Sequence, residues 1–195
     1  MTKKSIQDFL PLVERPSRYL GSEINTIRND LSKTGVSFAL AFPDLYEIGT
    51  SHFGIQILYQ ILNKHPDIAA ERVFAPAEDV EALLRSSNAP LTSLETNTPL
   101  KKFNIIGLSL LYELNYTNIL TILDLAGIPF LAKDRDAAFP LVIGGGPCAC
   151  NPEPLADFFD AFVIGDGEEV ALKMAKAWLE GRQTNGIEKA AVLDA

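Results

Sequence analysis

Val36-Ser-Phe-Ala-Leu-Ala41 is a mostly apolar run stopped by Pro43, and beyond it Phe53, Ile57, Leu58, Ile61 and Leu62 recur at helical intervals between His52 and Asn63. A strand buried on both faces that feeds a helix with one apolar stripe is the unit of a parallel α/β sheet. The unit recurs down the chain. Arg72-Val-Phe-Ala75 precedes a helix over 77–85, and Asn104 to Leu111 precedes one from Tyr116 to Ala126. Pro140-Leu-Val-Ile143 and Ala161-Phe-Val-Ile164 follow, the last leading into a helix from Glu168 to Leu179 closed by Gly181. Strand alternating with helix in this way predicts a flavodoxin-like or Rossmann-like doubly wound, mainly parallel five-stranded sheet with helices on both faces.

Two insertions interrupt the pattern: Leu91-Thr-Ser-Leu94 reads as an extra short strand, and Gly127-Ile-Pro-Phe-Leu131 as an edge strand. Ahead of the sheet, Ile6 to Val13 reads as one or two helical turns broken by Pro11 and Pro16, and Arg15-Pro-Ser-Arg-Tyr-Leu-Gly21 as an extended arm. Residues 1–35 are therefore taken as an arm, 36–181 as the α/β domain, and 182–195 as the start of a linker or helix. Glu188 to Ala195 begins an amphipathic stretch that stops short, as expected of a piece of a longer protein.

The chain has 195 residues, enough to bury a core without disulfides or metals. Its 17 Lys and Arg stand against 25 Asp and Glu, a formal charge of −8, and the basic residues never cluster. A phosphate backbone would be repelled, so direct nucleic-acid binding is not expected. The longest apolar stretch, Ile105 to Tyr112, is far below membrane-span length, and the N-terminus lacks a signal peptide's apolar core, so a cytoplasmic location is expected. Cys148 and Cys150, one residue apart, are too close for an easy disulfide and too few for an iron-sulfur cluster.

In a sheet of this class ligands bind beyond the carboxyl ends of the strands, where the strand order reverses. The flavodoxin-like order sets the first and third strands side by side there, so the loops 42–51, 109–115 and 144–150 face one crevice. They read Asp44-Leu-Tyr46-Glu-Ile-Gly49, Ser109-Leu-Leu111 and Gly144-Gly145-Gly146-Pro147, and a loop after the fifth strand reads Gly165-Asp-Gly167-Glu-Glu169. Glycines at strand ends let a ligand approach the backbone because no Cβ intervenes. No Lys-Ser or Lys-Thr follows a glycine run, and no Gly-Xaa-Gly-Xaa-Xaa-Gly fingerprint follows the first strand, so this is no phosphate loop or dinucleotide fingerprint.

Asp-Xaa-His-Xaa-Xaa-Gly, then Ser-Xaa-Leu, then Gly-Gly is the pattern of cobalamin-binding domains. The chain resembles it at Asp44, Tyr46 and Gly49, then Ser109 and Leu111, then Gly144 and Gly145. The continuation from Gly-Gly-Pro through Asn151-Pro-Glu-Pro, Ala156-Asp-Phe-Phe-Asp160 and Val163-Ile-Gly-Asp-Gly-Glu-Glu169, with the arm Arg15-Pro-Ser-Arg-Tyr19, resembles the cobalamin-binding-like domain that precedes the catalytic domain in one subgroup of radical S-adenosylmethionine proteins. The likeness covers most of residues 15–180. It implies an accessory domain for cobalamin, with no catalytic residue and no metal ligand of its own. S-adenosylmethionine and a 4Fe-4S cluster would belong to a downstream domain of the same polypeptide, the implied partner. The cluster motif Cys-Xaa-Xaa-Xaa-Cys-Xaa-Xaa-Cys does not occur in these residues.

By the same resemblance Ser109 would bond the displaced nucleotide base and Leu111 would wall its pocket. Gly144, Gly145 and Gly146 would let the tail pass, with Gly165 and Gly167 opening the neighbouring strand end. The departure is Tyr46, which stands where the pattern places the cobalt-ligating histidine. A phenol titrating near 10 is a poor ligand, so cobalt without a protein nitrogen is expected.

Each element also has a plain structural reading. Asp44 to Gly49 reads equally as a capped turn, Gly144 to Gly146 as a tightened turn, and Gly165 to Gly167 as a turn before a helix start complemented by Glu168 and Glu169. His52 reads as a helix-start imidazole or a cobalt ligand, His65 as a loop residue, and Tyr112 and Tyr116 as packing or as stacking surfaces. Two other functions stand beside the cobalamin reading: a cofactor-free scaffold that docks a catalytic domain or macromolecule, and a flavin mononucleotide binder, the latter disfavoured because the first loop lacks a Ser, Thr and Gly run.

Overall fold

The computed structural model describes residues 5–183 and 188–194. Five strands, β1 (Val36–Phe42), β2 (Ile68–Phe74), β3 (Ile105–Ser109), β4 (Leu141–Gly145) and β5 (Ala161–Val163), form one sheet. Its order is β2-β1-β3-β4-β5, and every pairing is parallel. The helices are α1 (Tyr46–Gly49), α2 (Phe53–Asn63), α3 (Glu78–Ser87), α4 (Tyr116–Ala126), α5 (Gly167–Gln183) and α6 (Glu188–Leu193). This is the expected doubly wound α/β fold, with β1 and β3 adjacent where the order reverses.

Strand periodicity sorts the core into two layers. Val36, Phe38, Leu40 and Phe42 of β1 pack with Ile55, Tyr59 and Leu62 of α2 and Ala171, Ala175 and Trp178 of α5. The intervening Ala39 and Ala41 face the opposite layer, which holds Val80 and Leu84 of α3 and Ile119, Ile122 and Leu123 of α4. All seven residues of β1 are buried, which is why its sequence reads as an apolar run broken only by Ser37.

Several elements depart from the sequence reading. β2 begins at Ile68, four positions before Arg72, because Ile68 to Glu71 are buried against β1. Leu91 to Leu94 adds no strand: Thr92 makes an isolated bridge to Pro99, while the Leu91 and Leu94 amides donate to the Leu125 and Arg72 carbonyls. Residues 127–131 form no edge strand either. Arg135, buried beside them, donates from Nη1 to the carbonyls of Pro129 and Phe130, and those groups leave no ladder to build. α5 is not closed by Gly181 but runs through it to Gln183. Gly181 is buried there, and a Cβ would lie 2.9 Å from the Cα of Glu188, so the glycine admits α6 against α5.

The arm is packed rather than extended. Ile6–Leu12 and Pro16–Tyr19 are 3-10 helices, and Ile6 and Phe9 belong to the α3/α4 layer. Of the segment expected to lead away from the fold, residues 184–187 and Ala195 lie outside the described residues. No helix among the described residues is long and apolar enough to cross a membrane.

Candidate cofactor cavity

A cavity of about 350 Å³ lies between the sheet and the α2/α5 layer, opening at the carboxyl ends of the strands. Phe38 and Leu40 of β1, Ile105 of β3 and Ile143 of β4 form its floor; Ile55 and Leu58 of α2 and Ala171 and Met174 of α5 form its walls. The lining is mostly apolar, and the volume lies within the range of small-molecule sites.

The cavity exists because bulky side chains are missing at particular strand positions. Gly107, in the middle of β3, would direct a Cβ toward Leu40 Cδ2 at 3.8 Å with no other neighbour within 4 Å. At Gly145 a Cβ would meet only Val163, at 3.8 Å, and at Gly167 only Leu58, at 3.6 Å. Gly165 faces open space. Together with Ser109, Leu111 and Gly146, these residues line one volume, so candidates from the loops after β3, β4 and β5 converge. Gly107 carried no motif in the sequence; only its register opposite Leu40 and Ile143 exposes it as part of the wall.

The remaining candidates are placed elsewhere. Gly144 packs on the other face of the sheet, where a Cβ would approach Leu110 Cδ1 to 2.8 Å and the rings of Phe162 and Phe159 to 3.0 and 3.1 Å. Gly49 lies under two rings, 2.4 Å from Phe74 and 3.0 Å from Phe42 measured from a built Cβ. Asp44 accepts from the Leu45 amide at 2.7 Å and from Asn115 Nδ2 at 3.3 Å, tying the loop after β1 to the loop after β3. Gly146 lines the cavity yet is also a required glycine: its φ is +118° and a Cβ would sit 2.8 Å from the Leu110 carbonyl oxygen. Gly145 has no such backbone, so the tight-turn reading holds at Gly146 and fails at Gly145.

Tyr46 points away from the cavity. Its ring packs edge-on against Phe74 at 5.4 Å, and its hydroxyl donates to Glu23 Oε1 at 2.7 Å. Burial, then the bond to Glu23, pushes the phenol up to about 12, which makes a phenolate at that position still harder to form. Glu23 accepts from Arg72 Nη2 at 3.0 Å as well, and these bonds hold its carboxyl below the ordinary range although burial opposes them. Tyr46 thus clasps the arm to β2.

The imidazole in the cavity wall is His52, the residue just before α2. Its ring lies 5.4 Å from Phe42 and is folded over Gly54, where a Cβ would come within 2.8 Å of Cε1. Its Nδ1 is buried and makes no hydrogen bond. Cys148 and Cys150 are free thiols outside the cavity lining; burial pushes Cys148 up, the reverse of a reactive thiol. Among the described residues no three His, Cys, Asp or Glu gather as a metal site.

An apolar cavity at the switch point of a doubly wound sheet lies where proteins of this architecture commonly hold small molecules. The chain belongs to the family described as radical SAM proteins, N-terminal, whose model matches residues 54–195. The match takes in the loops after β3, β4 and β5 but begins after Asp44, Tyr46 and Gly49. The chain is also 29% identical over 139 residues to an uncharacterized protein of Methanocaldococcus jannaschii, an alignment covering 70% of this chain and 26% of that protein. The chain thus spans about a quarter of that relative's length.

Proposed function

We propose that this domain is the cofactor-holding accessory part of a radical S-adenosylmethionine protein, taking cobalamin at the carboxyl ends of its strands with the nucleotide base lodged in the β-sheet/α2/α5 cavity. The observation that carries the reading is the cavity itself, lined together by Gly107, Ser109, Leu111, Gly145, Gly165 and Gly167. The fit is of the right kind: a flat apolar base would meet Phe38, Leu40 and Ile143, and Ser109, a lining residue at the end of β3, carries a hydroxyl able to bond a ring nitrogen. Bound cobalamin supplies a cobalt centre for methyl or electron transfer. This chain's residues bind and orient it, while S-adenosylmethionine and the 4Fe-4S cluster belong to the rest of the polypeptide.

The strand-end rim supports docking of that remaining polypeptide on the same face. Ile48, Phe53, Tyr112, Leu114 and Ile164, in the loops after β1, β3 and β5 or at the start of α2, are all more than half exposed. A cofactor-free docking scaffold uses this rim and not the cavity. Mixing the purified chain with hydroxocobalamin, desalting and recording the visible spectrum separates the two. Retained colour with the spectrum of cobalamin whose own base has left the cobalt supports the cavity reading; complete loss of colour at micromolar protein leaves the scaffold.

A further inference from the structure

We propose that His52, and not the motif position Tyr46, supplies the protein nitrogen that ligates the cobalt of cobalamin held at this site. The inference rests on the cobalamin reading and adds to it a ligand outside the motif. Tyr46 is unavailable: its hydroxyl is given to Glu23 and its ring to Phe74, on the β2 side of the domain. His65 lies just past the end of α2, and the helix separates it from the strand ends. His52 is therefore the imidazole that the fold brings to the cavity lining.

Three features make it a ligand in waiting. The ring belongs to the lining of the cavity that Ser109, Gly145 and Gly165 also border. Nδ1 has lost its hydration on burial and has gained no donor or acceptor in return, although buried polar atoms are almost always paired. The helix offers no substitute, because His52 makes no side-chain capping bond to the first turn of α2. Imidazole nitrogen is a good ligand for a transition metal of this kind, whereas a protonated phenol is not. Nδ1 lies on the edge of the ring that packs against Gly54, so coordination requires the ring to turn off the helix, which exchanges an unpaired buried nitrogen for a metal bond.

The test is electron paramagnetic resonance of cob(II)alamin bound to the full chain, made with ordinary histidine and with histidine carrying the heavy nitrogen isotope. The expected spectrum shows superhyperfine triplets from one axial nitrogen that turn into doublets on labelling. The pattern should vanish in His52→Gln and persist in His65→Gln. Retained cobalamin with no nitrogen splitting, or with splitting that ignores the label, overturns the role of His52 and leaves the cavity reading standing. Failure to retain cobalamin at all overturns both. If His52→Gln does not fold, the labelled spectrum of the unaltered chain combined with that of His65→Gln still assigns the nitrogen.

Discussion

Tyr46 Oη lies 2.7 Å from Glu23 Oε1, so the position that resembles a metal-ligand site is occupied by an internal clasp between the arm and the loop after β1. Two consequences follow for substitutions there. Tyr46→His does not strengthen cofactor retention, because the side chain at 46 faces Phe74 and not the cavity. Tyr46→Phe keeps the ring packing but removes a bond to a charged acceptor, which lowers stability by about 1–2 kcal/mol. Denaturant melts check the second; desalting with hydroxocobalamin checks the first, where a marked gain by the histidine variant would contradict the geometry.

Gly145 and Gly146 are neighbours with opposite expected behaviour. Gly145→Val places a branched side chain beside Val163 within the cavity lining, so under the proposed cobalamin reading retention collapses while the melting temperature hardly moves. Gly146→Ala meets both a backbone conformation reserved for glycine and the Leu110 carbonyl, and costs about 1–3 kcal/mol without any ligand present. Ligand-free thermal melts of the pair decide it, equal losses being the contrary result.

How much of this was legible beforehand differs between the fold and the site. The strand–helix alternation stood out because β1 and the core of β3 are buried on both faces, and such strands advertise themselves as apolar runs. Ile68 to Glu71 did not, since a buried Glu71 bonded to Thr96 interrupts the pattern. At the site, spacing placed Ser109, Gly145 and Gly165 at strand ends but could not tell which face each glycine serves. Gly144 and Gly145 differ by one residue and so lie on opposite sides of the sheet. Spacing alone does not reveal that Tyr46 turns to Glu23, which is remote in sequence and lies in a segment expected to stand apart from the fold.

Arg72 and Glu95 form a second clasp on β2. Arg72 Nε donates to Glu95 Oε1 at 2.6 Å, and the Glu95 side chain has no exposed surface. Arg72→Ala leaves a buried carboxylate unpaired and loses the bond to Glu23, for an expected loss of about 3–5 kcal/mol. A loss below 1 kcal/mol in chemical denaturation would show that water reaches Glu95.

Alkaline titration reports on the same region. Tyr46 and Tyr59 are both pushed up to about 12, chiefly by burial, and Tyr59 Oη accepts from the Ile27 amide of the arm at 2.7 Å. In the unfolded chain a phenol titrates near about 10. Their values are raised by folding, so the stabilisation they give is complete below about pH 10 and disappears as pH rises through about 12. The native chain should therefore show a late component of tyrosinate absorbance and a melting temperature that falls across this interval, with Tyr46→Phe removing part of both. One transition near 10 in a chain that is still folded would contradict this.

On the outer side of β2, away from β1, the Ala70 N–H donates to Asn63 Oδ1 and its C=O accepts from Asn63 Nδ2, while the Arg72 N–H donates to Glu95 Oε2 and its C=O accepts from the Leu94 amide. A strand margin with open amides is a template onto which a neighbouring molecule can add its own strand, the first step of sheet-to-sheet aggregation. Here that template is already used up by groups of the same chain, and the opposite margin, β5, is only three residues long. Both margins therefore offer little to an incoming strand, so concentrated protein should stay free of intermolecular β-pairing as long as Asn63 and Glu95 hold their places.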